Sequence, residues 1–350
     1  MPRVFLYCRW LIMNKQAMVK IIDALRERQH TEKSDASSID PAHFYPISPV
    51  SSAMSSELLS VKIASVDGGQ AELFATPTYA VYVLRVASVV YRQNQCLQRS
   101  SQMWFALLSL ANDLLVVDLF DEQGMHRKEK FLLSSISSLP QPEDFLSFSP
   151  YAGFVRASLE LQECQHLAEQ LSSGDLLLRD GLLSNLAVHP QLSELSVSCQ
   201  RHGIVLLGFA KTTTLKTEHG ESFPGALARV APQGRWYYTT EYTSHLGVFS
   251  TTFATSFVKL HYKAQYIFHV ETLSDGDPFP LFSQLAHHAC DPIFLGYPYG
   301  LIAVDQLARV SNQEQSYFKT LFESRSGSLW KELEPQRNAV NAHHILDRIH

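Results

Sequence analysis

The sequence predicts a mixed α/β protein, one sheet flanked by helices with an N-terminal helical and extended arm, and three observations predict it. Short runs rich in β-branched and aromatic residues alternate with stretches whose apolar residues recur at helical spacing. Two of the apolar runs stop at Asp-Gly, at Asp67 and again at Asp180. The composition is core-forming, with 45% hydrophobic and 18% charged residues in 350. We divide the chain into an arm over residues 1–56 and a main domain over 57–350, although at roughly 150 residues per domain the length leaves the count open.

In chain order, Ala17, Val19, Ile21, Ile22 and Leu25 fall at helical spacing and predict an amphipathic helix ending at Arg26-Glu27-Arg28. From Thr31 to Ser56 the composition shifts to Ser, Asp and Pro, a linker or an arm laid over the surface. Leu58 to Val66 predicts a buried strand with a tight turn at Asp67-Gly68-Gly69. Tyr79 to Tyr91 and Leu107 to Phe120 predict a second and third strand, with a helical piece around Trp104 to Ala111. The period then lengthens: Phe154, Leu159, Leu161, Leu167 and Leu171 predict a helix that closes at Ser172-Ser173-Gly174. Asp175 to Gly181 predicts a central strand with Asp180 at its C-terminal edge. Further on, Pro190–Gln200 reads as helix and Gly203–Phe209 as strand, while Arg235–Tyr242 and Phe257–Val270 read as strands or a hairpin. Phe279–Ala289, Leu301–Val310 and Gln315–Glu323 read as helices, and the polar tail ends in a short helix at His343–Asp347.

Several function classes fall away on composition. Five scattered cysteines without a C-x-x-C argue against a disulfide scaffold or zinc knuckle and make a reducing cytoplasm the default compartment. The apolar stretch Val4–Met13 is too short to span a bilayer and lacks a cleavage site, so no membrane association is expected. A net charge of −5, from 29 Lys+Arg and 34 Asp+Glu, argues against non-specific coating by nucleic acid but not against a local basic groove. Adjacent His287-His288 and His343-His344 point in different directions on helices and lack a second pair at ligand spacing. Neither G-x-S-x-G nor G-x-x-x-x-G-K occurs, which removes a serine-hydrolase elbow and an ATP-burning P-loop.

The chemistry rests on carboxylates. Strand ends deliver Asp67 and Asp180 to a sheet edge, and the helix between them carries Glu160. Three acids converging there would repel one another unless divalent cations held them, and hard oxygen ligands suit Mg²⁺ or Mn²⁺. Two ions in such a site suit phosphodiester hydrolysis. Each signal has a plain alternative: Asp-Gly is an ordinary turn, and Glu160 pairs with Arg156 four residues earlier.

Six stretches in one order resemble the NurA-type nucleases. They are Ala64-Ser65-Val66-Asp67-Gly68-Gly69, Arg156-Ala157-Ser158-Leu159-Glu160, Leu176-Leu177-Leu178-Arg179-Asp180-Gly181-Leu182-Leu183, Gly208-Phe209-Ala210-Lys211-Thr212, Phe257-Val258-Lys259-Leu260-His261, and Gly296-Tyr297-Pro298-Tyr299-Gly300-Leu301-Ile302-Ala303-Val304-Asp305. The resemblance runs from about Lys62 to the C-terminus. It implies a ribonuclease H-like fold and a Mn²⁺-dependent deoxyribonuclease, a 5′-to-3′ exonuclease with single-strand endonuclease activity in DNA end processing or repair. It also implies a homodimer and a HerA-like hexameric ATPase as partner. On the matching positions Asp67, Glu160 and Asp180 would ligate metal, and Tyr297 and Asp305 would line the same site. Two departures stand out: Gly69 where the family often has Ser, and Leu182 where a small residue is common.

Around this core, Lys211 either meets a phosphate oxygen and shields the acids or is a plain exposed lysine at a strand end. Lys259, His261 and Lys263 alternate as a DNA-facing stripe or as any half-exposed strand would. Trp236, Tyr237, Tyr238, Tyr242 and Tyr262 are either stacking platforms for bases or core. A rival reading makes the chain a catalytically silent docking module for a hexameric motor, with Val4–Met13 as the docking element. A third makes it an antiviral defence nuclease built from the same parts.

Overall fold

The computed structural model describes residues 18–24, 39–48, 60–136, 139–140, 147–218, 220–245, 252–273 and 278–335. Its strands are β1 (Phe44–Pro46), β2 (Ile63–Ala75), β3 (Tyr79–Arg92), β4 (Gln95–Ala111), β5 (Leu114–Asp121), β6 (His126–Leu132), β7 (Leu176–Asp180), β8 (Val205–Ala210), β9 (Trp236–His245), β10 (Thr252–Lys259) and β11 (Phe268–Leu273). They form one 11-stranded sheet in the order β1-β9-β10-β11-β8-β7-β2-β3-β4-β5-β6. From β2 to β6 the chain meanders antiparallel. β7 then pairs parallel with β2, and β8 parallel with β7. Parallel neighbours need crossovers, and helices supply them: α1 (Ser149–Ala168) precedes β7, and α2 (Pro190–His202) joins β7 to β8. Past α3 (Phe223–Val230), β9 to β11 extend the sheet antiparallel beside β8. The last elements described are α4 (Pro278–His287), α5 (Tyr299–Ala308) and α6 (Asn312–Ser326), with residues 328–335 helical beyond α6.

Both faces of the sheet are covered, and strand alternation divides the core in two. Ala64, Val66, Leu177 and Leu206 pack with Leu159 of α1 and Leu192 of α2. Their chain neighbours Ile63, Leu176, Leu178, Leu207 and Phe209 pack with Leu285 of α4 and with Leu301 and Val304 of α5. Side chains one residue apart on β2, β7 and β8 therefore meet different helices. This parity decides the composition of the site.

Four expectations need correction. Asp67-Gly68-Gly69 is not a turn: β2 runs on to Ala75, with Asp67 opposite Ala87 of β3. Trp104–Ala111 is not helical but the end of β4, paired with β3 on one side and β5 on the other. Apolar residues on consecutive positions imitated a helical period there because both faces are apolar, Ala106 and Leu108 buried toward α1, Phe105 against Phe318 of α6 and Leu107 lining the exposed groove beside it. The run Leu107–Phe120 is thus two strands joined at Asn112-Asp113, where Asn112 adopts the left-handed conformation such a turn requires. Finally, the hairpin read at Phe257–Val270 is present as β10 and β11, but Lys259 ends its strand while His261 and Lys263 lie in the loop beyond it, so the alternating strand stripe of these three does not form.

Within the predicted arm, residues 18–24 are helical and exposed. Asp40 caps a short 3-10 turn by accepting from the Ala42 N–H at 2.9 Å, and β1 pairs with β9 at one edge of the sheet. Val4–Met13 and the tail helix predicted at 343–347 lie outside the described residues. Among those described, no helix is long and apolar enough to cross a membrane.

Candidate active site

Asp67 lies mid-strand on β2 and Asp180 is the last residue of β7. Val66 and Arg179 are partners in the parallel ladder, so Asp67 and Asp180 sit side by side on the opposite face of the sheet. That face receives α5, where Asp305 is the single charged residue of a mostly apolar helix. One carboxylate oxygen from each of Asp67, Asp180 and Asp305 lies within 4.8 Å of the other two. Lys211, the first residue after β8, reaches into the cluster: its Nζ is 2.7 Å from Asp180 Oδ2 and 2.5 Å from Asp305 Oδ1. Tyr297 is fully buried beneath, with the Lys211 ammonium 5.3 Å from its ring centroid.

These groups perturb one another. Burial, then the charges of Asp180 and Glu160, push the Asp67 carboxyl up to about 7, against a hydrogen bond from the Gly68 N–H at 2.7 Å. Burial raises Asp180 too, opposed by the Lys211 ammonium and the Tyr297 hydroxyl. Burial disfavours the charge on Lys211, but its bonds to Asp180 and Asp305 outweigh that and hold it protonated. Tyr297 is pushed well up by burial and by the facing carboxylates, which keeps its hydroxyl a donor. Three carboxylates compensated by one ammonium are an under-neutralised set of hard oxygen donors. That chemistry fits a divalent cation such as Mg²⁺ or Mn²⁺.

Glu160 is elsewhere. It is completely buried on α1, on the other side of β2, where one oxygen accepts from Arg179 Nε at 2.9 Å and Nη2 at 2.8 Å and the other pairs with Arg156. Arg156 also donates to the Gly68 carbonyl at 2.8 Å. The pairing with Arg156, open as an alternative in the sequence, is therefore present, and Asp305 stands in the cluster instead. Alternation is the cause: Arg179 precedes Asp180 and faces α1, while Asp180 faces α5.

The two glycines after Asp67 serve close approach rather than a turn. A Cβ on Gly68 would stand 2.4 Å from Glu160 Oε1 and 2.9 Å from Arg156 Cγ, whereas one on Gly69 would stand 2.1 Å from the Ala308 carbonyl oxygen. Gly68 lets α1 settle on one face and Gly69 lets the end of α5 settle on the other. A serine at position 69 would push away the helix that carries Asp305.

No protein-family model matches this sequence, and no curated protein matches it. Among solved structures, the NurA nuclease from Sulfolobus solfataricus superposes with a TM-score of 0.57 over 89% of this chain and 97% of that one, at 13% identity. The two chains share a fold. It is the ribonuclease H-like mixed sheet the resemblance implied. The catalytic domain of human Endonuclease V aligns with TM-score 0.38 at 12% identity over 83% of this chain and 95% of that one. Endonuclease V of Ciona intestinalis, solved with an inosine-containing 24mer DNA, aligns with TM-score 0.37 at 12% identity over 85% and 99%.

The remaining predicted site residues divide. Lys259 is half-buried at the end of β10, His261 is buried in the bend that follows, and Lys263 is exposed. They do not form a strand stripe. Trp236, Tyr237 and Tyr238 belong to the core, while Tyr262 is exposed; the side chain of Tyr242 is outside the described set. Sequence reasoning missed Arg179 as the partner of Glu160. Its signal was a charged residue inside the apolar run Leu176-Leu177-Leu178, which a buried strand tolerates only when paired.

Proposed function

We propose that the protein is a metal-dependent deoxyribonuclease of the NurA type, acting as a 5′-to-3′ exonuclease with single-strand endonuclease activity in DNA end processing. The observation that carries this reading is the Asp67, Asp180 and Asp305 cluster with Lys211 at its centre, set in a fold shared with a NurA nuclease. Asp67, Asp180 and Asp305 would hold Mn²⁺ or Mg²⁺, two ions at full occupancy. Bound there, the metal supplies Lewis-acid polarisation of the scissile phosphate and a more acidic water. The chain's own groups supply the rest. Lys211 carries a fixed positive charge that offsets negative charge developing on the phosphate, and the buried Tyr297 ring lies under its ammonium at 5.3 Å. A homodimer working with a HerA-like hexameric ATPase completes the proposal, since the chain has no P-loop of its own.

The test is calorimetric titration of Mn²⁺ into the wild type and Asp180→Asn, with cleavage of labelled single-stranded DNA measured on the same samples. Wild type binds and cuts. Asp180→Asn loses metal binding and at least ~100-fold of the cleavage. If the wild type neither binds Mn²⁺ nor cuts, the silent docking module replaces the nuclease.

A further inference from the structure

The loop between β10 and β11 stands beside the carboxylate cluster. In the β8 and β11 ladder Ala210 pairs with His269, so Phe268 lies across from Lys211 and the residues before it leave the sheet at the same edge. The loop packs on the segment that carries Tyr297. A Cβ on Gly296, where φ is +89°, would stand 2.7 Å from Ala264 Cβ, so that position excludes a side chain. Ring contacts of 5.0 Å from Tyr297 to Phe294 and 5.4 Å from Phe294 to Tyr266 lead from the site to the surface.

At that surface the loop presents two aromatic rings to solvent, Tyr262 at 55% and Tyr266 at 56% exposure. Lys263 Nζ lies 5.5 Å from the Tyr262 ring centroid. Burial lowers the His261 pKa and the charges of Arg235 and Lys263 lower it further; Arg235 directly precedes Trp236, the ladder partner of Lys259, so both cations stand around the same bend. Among the described residues neither Arg235, Lys259 nor Lys263 has a carboxylate partner. Large exposed aromatics cost hydration unless something covers them, and unpaired cations beside them select a polyanion with flat apolar faces.

We propose that Tyr262 and Tyr266 form a base-stacking platform for single-stranded nucleic acid, with Arg235 and Lys263 meeting its phosphates, and that this platform leads a strand to the Asp67, Asp180 and Asp305 cluster. The proposal rests on the nuclease reading and adds the residues outside the carboxylate cluster that take hold of the strand. A duplex keeps its internal bases stacked on one another and exposes only the face of its terminal pair, so two rings engage it less well than successive bases of a single strand.

The experiment measures fluorescence anisotropy of labelled dT and U 20-mers and a blunt duplex in EDTA, so that nothing is cut. Tyr262→Ala/Tyr266→Ala weakens binding of a single strand at least ~10-fold, whereas Tyr262→Phe/Tyr266→Phe, which keeps the rings, stays within about twofold of wild type. Arg235→Gln/Lys263→Gln reduces the slope of affinity against salt. Mn²⁺ affinity is unchanged in the Ala pair, which separates a lost platform from a disturbed site. A loss on either oligomer supports the platform, and comparing the two tells which sugar it takes. Wild-type affinity of the Ala pair for both oligomers, or an equal loss on the duplex, overturns it. If wild type fails to cut with Mn²⁺ while the Ala pair loses single-strand binding, the nuclease reading falls and the platform stands; cleavage with undiminished binding gives the reverse.

Discussion

The two faces of strands β2, β7 and β8 carry charge in opposite ways. Toward α1, Glu160 is enclosed by Arg156 and Arg179, and every charge has a partner of opposite sign. Toward α5, three carboxylates crowd around one lysine. The first arrangement is satisfied without a ligand; the second is satisfied only in part, and burial first and then the neighbouring carboxylates hold the Asp67 proton on up to about 7. The difference teaches that a functional cluster is recognised by its incomplete neutralisation rather than by the number of acids in it. The residues concerned are adjacent in sequence, Arg179 beside Asp180 and Gly68 beside Asp67.

The sharpest way to break this comparison is Glu160→Gln. Removing one partner of a fully buried ion pair leaves arginines uncompensated and costs roughly 3–5 kcal/mol in urea denaturation. Mn²⁺ affinity of the folded variant stays within about twofold of wild type if the faces are independent. Loss of metal binding with the fold intact would make Glu160 a ligand and join the faces.

Gly69→Ala and Gly68→Ala sharpen it next. Both overpack and cost about 1–3 kcal/mol. Gly69→Ala alone weakens Mn²⁺ binding, by about tenfold, because it displaces the end of α5 and with it Asp305. Equal metal affinities in the two variants would contradict the division of labour between the glycines.

A smaller effect is expected from Lys211→Met. Its ammonium occupies space among the carboxylates that a cation would share, so the variant binds Mn²⁺ several-fold tighter while cutting more slowly. Weaker Mn²⁺ binding in calorimetry would show that Lys211 assists the metal instead.

The smallest effect is on thermal stability against pH. The Asp67 carboxyl is raised in the folded state, so its contribution is full below the ordinary carboxylate range and is lost as pH rises through about 7. Buried His189, His269 and His288, each held down to about 4, act the other way, losing stability as pH falls from 6.5 toward 4. The difference between wild type and Asp67→Asn isolates the first effect. Without metal, the Tm advantage of Asp67→Asn over wild type grows by at least ~3 °C from pH 5 to pH 8, and Mn²⁺ reverses it at pH 8. A constant difference would remove the charge strain assigned to Asp67.

Much of the architecture was legible because periodicity reports burial. α1, α2, α4, α5, α6, β3, β7 and β8 all lie where apolar spacing put them. Reading failed where one pattern has two physical causes. Asp-Gly-Gly marks a turn when glycine is needed for positive φ, yet here it marks a strand onto which two helices press. Consecutive apolar residues at Trp104–Ala111 mark a helix when one face is apolar, and a strand when two are. Asp305 was found through a family pattern, though a single acid in a ten-residue apolar helix is a signal any sequence offers.

By itself the sequence determined which acids are candidates for this chemistry, because a carboxylate inside or at the end of an apolar run must meet a partner or a ligand. It also determined on which face of its own strand each side chain lies, since alternation is a property of the extended chain. Only the tertiary structure decided which helix covers which face. That choice depends on contacts between residues far apart in the chain, Gly69 with Ala308 and Gly68 with Glu160. It places Asp305 with Asp67 and Asp180, and encloses Glu160 between two arginines.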